Sequence, residues 1–321
     1  MKTVNTVTGP VSTDQLGHVL MHEHILSSGC GIGASYPQFY ADGLDDKATK
    51  VLLDAKAEGY DTVIDAAPFS LGRDVRGLKR LSERTGMHIM TVSGWWGRQE
   101  PFGMGLIPEE KLAAGFVHDV QVGCDNSDIK AAMLKASMDT EGCTPWNTKV
   151  HHAVAMAQAE TGANIMVHSF CPTETPRHQI RLLKEAGADM NKVVVEHILE
   201  TTDMEFIQWI YDQGVWMGMS RLPFTGTPDV FGTSINQRIR TIKKMLDLGM
   251  GDRMLFSHDI AIGATTFNNM PQEIQDFMDQ TCPERLCYIK KRVYPALVEL
   301  GVDFDYLWRI TEENPRKFFE A

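Results

Sequence analysis

The chain has 321 residues, of which 43% are hydrophobic and 23% are charged, and its formal net charge is −11. These proportions are typical of a globular protein, and the length suits one α/β barrel domain spanning residues 1–321. The negative charge argues against nucleic acid and against an anionic membrane as partners, because both require a basic protein surface.

The cysteines and the first residues of the chain indicate a compartment. Six cysteines are scattered along the sequence and form no Cys-x-x-Cys pair, which is typical of a reducing environment. The first twenty residues include Lys2, Asp14 and His18 and lack the apolar stretch of a signal peptide. Because no uninterrupted apolar run approaches the ~18 residues of a membrane span, we expect a cytoplasmic protein.

Short apolar segments alternate with amphipathic ones along the chain. The apolar segments predict eight strands, at His18–His24, Thr62–Ala66, Ile89–Ser93, Ala131–Ser137, Asn164–His168, Lys192–His197, Val215–Met219 and Arg253–Asp259. The segments between them predict helices at Lys47–Glu58, Arg73–Thr85, Pro108–Gly123, Val150–Thr161, Pro176–Ala186, Met204–Gln213 and Ile235–Leu248. Strict alternation predicts parallel strands, and eight such units close a (β/α)8 TIM barrel. An open doubly wound sheet is the alternative, but no Gly-x-Gly-x-x-Gly turn follows an early strand.

Ionisable residues lie at or near the ends of five predicted strands. They are His24, Lys135, His168, His197 and Asp259. In a barrel these strand ends converge on one face, which is where catalytic residues are found. A single histidine at a strand end is more often structural, but a cluster of five polar residues is costly to desolvate unless they are paired or bind metal.

The first strand adds a second histidine. His22 and His24 lie two residues apart and therefore face the same side of the strand, while Glu23 points away. Neutral imidazoles suit Zn²⁺, and Mn, Co or Fe would also be accepted by such ligands. The pattern predicts a metal site at the carboxyl ends of the strands.

Lys135 is the unusual member of this set, because an ammonium group would repel divalent cations. Its amine is either paired with a neighbouring carboxylate or has reacted with CO₂ to give a carbamate, which can bridge two metals. Lys130 is a competing candidate on the same segment. Met133, Lys135 and Ser137 share one face of the predicted strand, whereas Lys130 precedes the strand.

Together these residues resemble the amidohydrolase superfamily, and in particular its phosphotriesterase branch, which includes phosphotriesterase-like lactonases and phosphotriesterase-related proteins. The similarity runs nearly end to end, through residues 17–24, 72–74, 131–135, 160–168, 257–259 and 311–316. It implies a metal-dependent hydrolase with two divalent metal ions. The implied buried metal is held by His22, His24 and Asp259, and a more exposed one by His168 and His197. Carboxylated Lys135 and a hydroxide would bridge them, and Asp259 would also carry the proton.

The resemblance extends to the substrate side. Arg221 resembles the arginine that many lactonase members carry after the seventh strand, and Trp95 and Trp96 stand where relatives often place aromatic residues beside the metals. Phe224 lies in the same loop as Arg221. Aromatic and methionine side chains dominate these loops, which favours an apolar or aryl substrate unless they merely pack on one another.

The expected reaction is hydrolysis of a carboxylic ester or lactone. An amide hydrolase or a phosphotriesterase on the same metals is the alternative, and a non-catalytic metal-binding scaffold is a further one. The loop 260–288 departs from the branch near the leaving-group pocket, so the family's substrates do not carry over directly. We expect a small-molecule substrate as partner, and a homodimer is compatible with the sequence.

Overall fold

Parallel strands connected by helices make up most of the fold. A computed structural model describes residues 2–36, 43–223, 232–264 and 280–321. The strands within these ranges are Thr3–Thr6 (β1), Gly9–Ser12 (β2), His18–Ser27 (β3), Tyr60–Asp65 (β4), His88–Gly94 (β5), Met133–Ser137 (β6), Asn164–His168 (β7), Val193–Val195 (β8), Trp216–Met219 (β9), Met254–Phe256 (β10) and Ala261–Ala264 (β11). β1 and β2 form an antiparallel hairpin, and the other nine strands form one sheet in the order β10-β9-β8-β7-β6-β5-β4-β3-β11. All of its neighbouring strands are parallel.

The sheet closes through its eighth barrel strand, which is split into β10 and β11. β10 pairs with β9, whereas β11 pairs with β3 at the opposite end of the sheet. Between the two halves, Asp259 N donates to His22 O (3.0 Å) and His24 N donates to Ile260 O (2.9 Å). These bonds join the first strand to the last, so the predicted (β/α)8 TIM barrel is confirmed. The prediction of one continuous strand over Arg253–Asp259 was wrong, because β10 ends at Phe256.

The helices lie close to their predicted positions. The longer ones are Leu44–Ala57, Val75–Thr85, Glu109–Gln121, Pro145–Thr161, Thr175–Glu185, Met204–Asp212, Ile235–Asp247 and Phe304–Glu320; Ile32–Ser35, Tyr294–Glu299 and the π-helix Ile289–Val293 are short. Side-chain caps begin several of them: Thr144 Oγ1, for example, accepts from Asn147 N. Gly86 and Gly162 end two helices with a positive φ, a conformation that glycine adopts without strain. Among the described helices, none combines the length and the apolar character needed to cross a membrane.

A β-bulge in β3 sets which of its side chains face the barrel interior. The register runs from Leu20↔Val63 to Glu23↔Asp65, so β3 has one more residue than β4 over this stretch. Near the start of this stretch, Met21 packs in an apolar cluster inside the barrel. The extra residue then turns the histidines at 22 and 24 toward the interior above that cluster.

Candidate metal centre

The six side chains predicted to bind metal lie together at the carboxyl ends of the barrel strands. They are His22 and His24 on β3, Lys135 on β6, His168 on β7, His197 after β8 and Asp259 after β10. Asp259 Oδ1 lies 3.5 Å from His22 Nε2 and 3.1 Å from His24 Nε2. His197 Nε2 lies 2.9 Å from His168 Nδ1 and 3.9 Å from Asp259 Oδ2. That these residues bind metal stays a prediction, but the fold brings all of them together.

The distances between these donor atoms fit divalent cations. Two ligands bound at 2.0–2.1 Å to a tetrahedral zinc ion lie about 3.3–3.4 Å apart. The observed separations of 2.9, 3.1 and 3.5 Å bracket this value. Ligand atoms of His22, His197 and Asp259 all lie within 4.8 Å of one another. The donor set could therefore hold one cation between His22, His24 and Asp259, and a second beside His168 and His197.

Burial keeps three of the predicted histidine ligands neutral, which is the form that binds metal. Desolvation lowers the pKa of His168 to about 4 and holds the pKa values of His22 and His197 well below their usual range. These imidazoles are consequently neutral at pH 7, with lone pairs available to a cation.

Lys135 is fully buried, and its Nζ lies 3.1 Å from His22 Nε2. Burial lowers the pKa of Lys135 below its ordinary value, which favours the neutral amine that reacts with CO₂. The backbone approaches closely here: Trp95 N donates to Lys135 O (2.9 Å), and a Cβ at Gly94 would overlap that same oxygen. Lys130, the competing candidate, is exposed and precedes β6.

Three site residues have left-handed backbone conformations. His197, Arg221 and Asp259 have φ of 64°, 61° and 60°, and each follows the end of a barrel strand. Residues other than glycine seldom adopt this region, and the strain tends to occur at functional sites. The repeated turn redirects each of these side chains as its strand ends.

Arg221 lies beside Asp259 at the mouth of the barrel. Its Nε donates to Asp259 Oδ2 (2.9 Å), and its Nη1 donates to Glu200 Oε1 (2.5 Å). Glu200 is buried, and the guanidinium bridges these two acidic side chains. Arg221 thus lies beside the predicted ligands, and its contact with substrate stays a prediction.

The two predicted tryptophans occupy different environments. Trp96 is half-buried and meets the ring of His168 edge-on, with 5.8 Å between ring centroids. Trp95 is buried and packs against Trp146 and Phe69. Trp96 therefore faces the site, and a contact between Trp95 and substrate stays a prediction, as does the one expected of Phe224, which lies outside the described residues.

Several polar residues that support the predicted ligands were missed by sequence reasoning. Asp139 Oδ2 accepts from His168 Nε2 (3.1 Å) and from Arg98 Nη2 (3.3 Å). Glu196 and Ser220 form a chain behind His197, in which Ser220 Oγ donates to Glu196 Oε2 (2.7 Å) and lies 2.8 Å from His197 Nδ1. Their positions in the sequence could have pointed to them, because Asp139, Glu196 and Ser220 each lie within two residues of a predicted strand end or site residue.

Comparison with known proteins supports the same interpretation. The model of the phosphotriesterase family matches residues 2–319. The chain belongs to the phosphotriesterase family. It is 31% identical to a phosphotriesterase homology protein of Mycobacterium tuberculosis, over 100% of this chain and 98% of that protein. It is also 30% identical to an N-acetyltaurine hydrolase of Rattus norvegicus, covering 98% and 97% of the two chains, and 26% identical to an aryldialkylphosphatase of Saccharolobus solfataricus, covering 96% of each. This phosphotriesterase-family chain is accordingly a hydrolase, and the resemblance seen in the sequence is confirmed.

Proposed function

We propose that this family member is a binuclear metal-dependent hydrolase that cleaves a carboxylic ester or a lactone. The observation that carries the proposal is the convergence of four histidines, Asp259 and Lys135 at separations that suit two cations. Zn²⁺ is the proposed metal, because imidazole nitrogen and carboxylate oxygen are ligands that it prefers. We propose further that Lys135 carries a CO₂-derived carbamate, which would convert a repelling cation into a bridging ligand.

Two bound cations would supply Lewis-acid activation of a water molecule and of the substrate carbonyl. The protein's own part centres on Asp259, whose Oδ1 faces His22 and His24 while its Oδ2 faces Arg221. Asp259 Oδ2 is the atom we assign to take up the proton released from water and to pass it to the leaving oxygen. The proton can settle there only when Arg221 turns its Nε away, and the same motion would direct the guanidinium toward the substrate.

The choice of an ester or lactone with apolar or aryl groups rests on the walls of the site. Trp96 presents an aromatic surface next to His168. The guanidinium of Arg221 is neutralised by Asp259 and Glu200, and that of Arg98 by Asp139. A sugar phosphate would require several uncompensated cations, whereas an uncharged ester needs an apolar wall and one polarised carbonyl.

A second candidate is amide hydrolysis on the same metals. It is favoured by the relatives named N-acetyltaurine hydrolase, which match nearly the whole chain at 24–30% identity. Cleavage of a phosphotriester has the support of the aryldialkylphosphatase relative at 26% identity. Both reactions would use the same residues. Amide cleavage would differ from ester cleavage in its nitrogen leaving group, which must be protonated, and phosphotriester cleavage would differ in the bipyramidal shape of its transition state.

The test combines metal analysis with a substrate panel. Purified protein, reconstituted with Zn²⁺, Mn²⁺ or Co²⁺, is analysed for bound metal and assayed on lactones, aryl esters, N-acyl amides and phosphotriesters. We expect about two metal ions per chain and the highest kcat/KM on a lactone or aryl ester. A higher kcat/KM on amides or phosphotriesters would refute the substrate class. Near-zero bound metal would refute the metal mechanism and favour a scaffold protein.

A further inference from the structure

One buried carboxyl lies behind the predicted ligands and has no part in the mechanism above. Glu196 directly follows β8 and is 1% exposed. Its Oε2 accepts a hydrogen bond from Ser220 Oγ (2.7 Å), which in turn lies 2.8 Å from His197 Nδ1. The same Oε2 lies 3.4 Å from His22 Nδ1. One carboxyl therefore adjoins a ligand of each proposed cation, His22 directly and His197 through Ser220.

The contact with His22 is incomplete in this structure. At 3.4 Å it lacks hydrogen-bond alignment, and neither His22 Nδ1 nor Glu196 Oε1 has a hydrogen-bond partner among the described residues. Two buried polar atoms without partners are costly, and here they sit on adjoining groups. A small rotation of the Glu196 carboxyl would allow it to accept a hydrogen bond from His22 Nδ1.

The orientation of His22 explains why such a bond is required. Its Nε2 faces Lys135 and Asp259, where the cations are proposed to lie. An imidazole that ligates through Nε2 carries its proton on Nδ1, and this N–H needs an acceptor that fixes the ring. Glu196 lies on the Nδ1 side of the ring and thus behind the ligand, so it is placed to orient His22 and not to bind the cation itself.

The neighbouring strand leaves room for this carboxyl. Gly218 lies on β9 next to Glu196, and a Cβ at position 218 would overlap Glu196 Oε2. A glycine inside a strand weakens the strand, and it often marks a place where another group approaches closely. The lack of a side chain at position 218 therefore makes room for the Glu196 carboxyl.

We propose that Glu196 is a positioning residue that fixes His22 directly and His197 through Ser220, and so sets the geometry of both metal sites at once. The inference rests on the proposed function, since it assumes that these histidines bind metal. Hydrogen-bonding partners of metal-bound histidines typically change metal affinity by about 10–100-fold when they are removed. Glu196 joins two sites, so its removal should weaken both.

The experiment compares variants of the full chain by Zn²⁺ affinity, measured by competition with a chromophoric chelator, and by the visible spectrum of the Co²⁺-loaded protein. Glu196→Leu keeps the volume and removes both acceptor oxygens, whereas Glu196→Gln keeps one. Gly218→Ala displaces the carboxyl without changing it. Gly115→Ala is the matched control, because a Cβ at that helical glycine meets no atom within 4 Å.

We expect Glu196→Leu and Gly218→Ala to bind Zn²⁺ about 10–100-fold more weakly and to shift the Co²⁺ bands. Glu196→Gln should recover most of the affinity, and Gly115→Ala should match the unmodified protein. Affinities within threefold for both Glu196→Leu and Gly218→Ala would overturn the inference while leaving the metal centre intact. Unmodified protein that binds no Zn²⁺ would overturn the proposed function and this inference together. If Glu196→Leu fails to fold, Gly218→Ala decides by the same threefold criterion.

Discussion

Glu23 lies between the two histidines of the first strand, and its replacement by glutamine tests how the barrel closes. Its buried carboxyl accepts four hydrogen bonds. Oε1 receives them from Ser257 Oγ (2.7 Å), His258 N (2.8 Å) and His258 Nδ1 (2.8 Å), and Oε2 receives one from Ile260 N (2.9 Å). This one side chain therefore holds the irregular segment between β10 and β11 against β3.

Glu23→Gln keeps the shape of the side chain and weakens or removes each of the four hydrogen bonds. The new amide group would face Ile260 N, and a buried N–H without an acceptor costs about 1–3 kcal/mol. The three bonds to the remaining oxygen lose their ionised acceptor, at roughly 0.5–1 kcal/mol each. The expected loss in free energy of unfolding is about 2.5–6 kcal/mol, which is a large fraction of the ~5–15 kcal/mol typical of a folded protein.

Urea unfolding, followed by circular dichroism on metal-free protein, measures this loss. The control is Glu83→Gln on the exposed side of the helix Val75–Thr85, which should stay within about 0.5 kcal/mol of the unmodified protein. A loss below 1 kcal/mol for Glu23→Gln would refute the reasoning, because it would mean that closure does not depend on the carboxylate.

Three further predictions concern the metal ligands and pH. His168→Asn should lower bound metal and reduce kcat by at least about 100-fold, and unchanged values of both would refute its assignment. Lys135→Ala should lose metal and activity, and short-chain carboxylic acids should partly restore them; retained metal without rescue would show that Lys135 is not a carbamate bridge. Burial lowers the pKa of His151 to about 4, so below pH 6.5 the unfolded chain takes up a proton before the folded one. Between pH 7 and 5 this should reduce the free energy of unfolding by about 2 kcal/mol, and His151→Gln should lack that part of the loss in urea titrations.

The architecture and the clustering of His22, His24, His168, His197 and Asp259 could be predicted from sequence because both depend on short-range pattern, whereas the role expected of Lys135 came from the family resemblance. Alternation of apolar strands and amphipathic helices determines the barrel, and the carboxyl end of each strand is visible as the residue at which the apolar run stops. His168, for instance, is the last residue both of the predicted strand and of β7. The N-terminal hairpin and the helix Phe304–Glu320 were not predicted.

The supporting residues could not be found in the same way, because their roles depend on pairings across the barrel. Glu23 was correctly expected to point away from the histidines, but its bonds to a segment over 230 positions later follow only from closure. Glu196 meets His22 across the barrel interior, and no local pattern predicts that meeting. The bulge in β3 is equally invisible, since it is defined by the register against β4.

Barrel closure and the proposed metal binding depend on the same stretch of backbone. The first strand carries His22 and His24, while Asp259 lies in the irregular segment that Glu23 holds, so a cation bound by all three would cross-link the two strands that close the sheet. Such a ligand set is not assembled in the unfolded chain, and a cation that prefers the folded state stabilises it by RT ln(1 + [M]/Kd), about 4 kcal/mol at a thousandfold excess over Kd. The left-handed backbone at Asp259 and the Nδ1 of His22, which has no hydrogen-bond partner among the described residues, are costs that this stabilisation would offset. The proposed cations would thereby compensate for the strain of the closure.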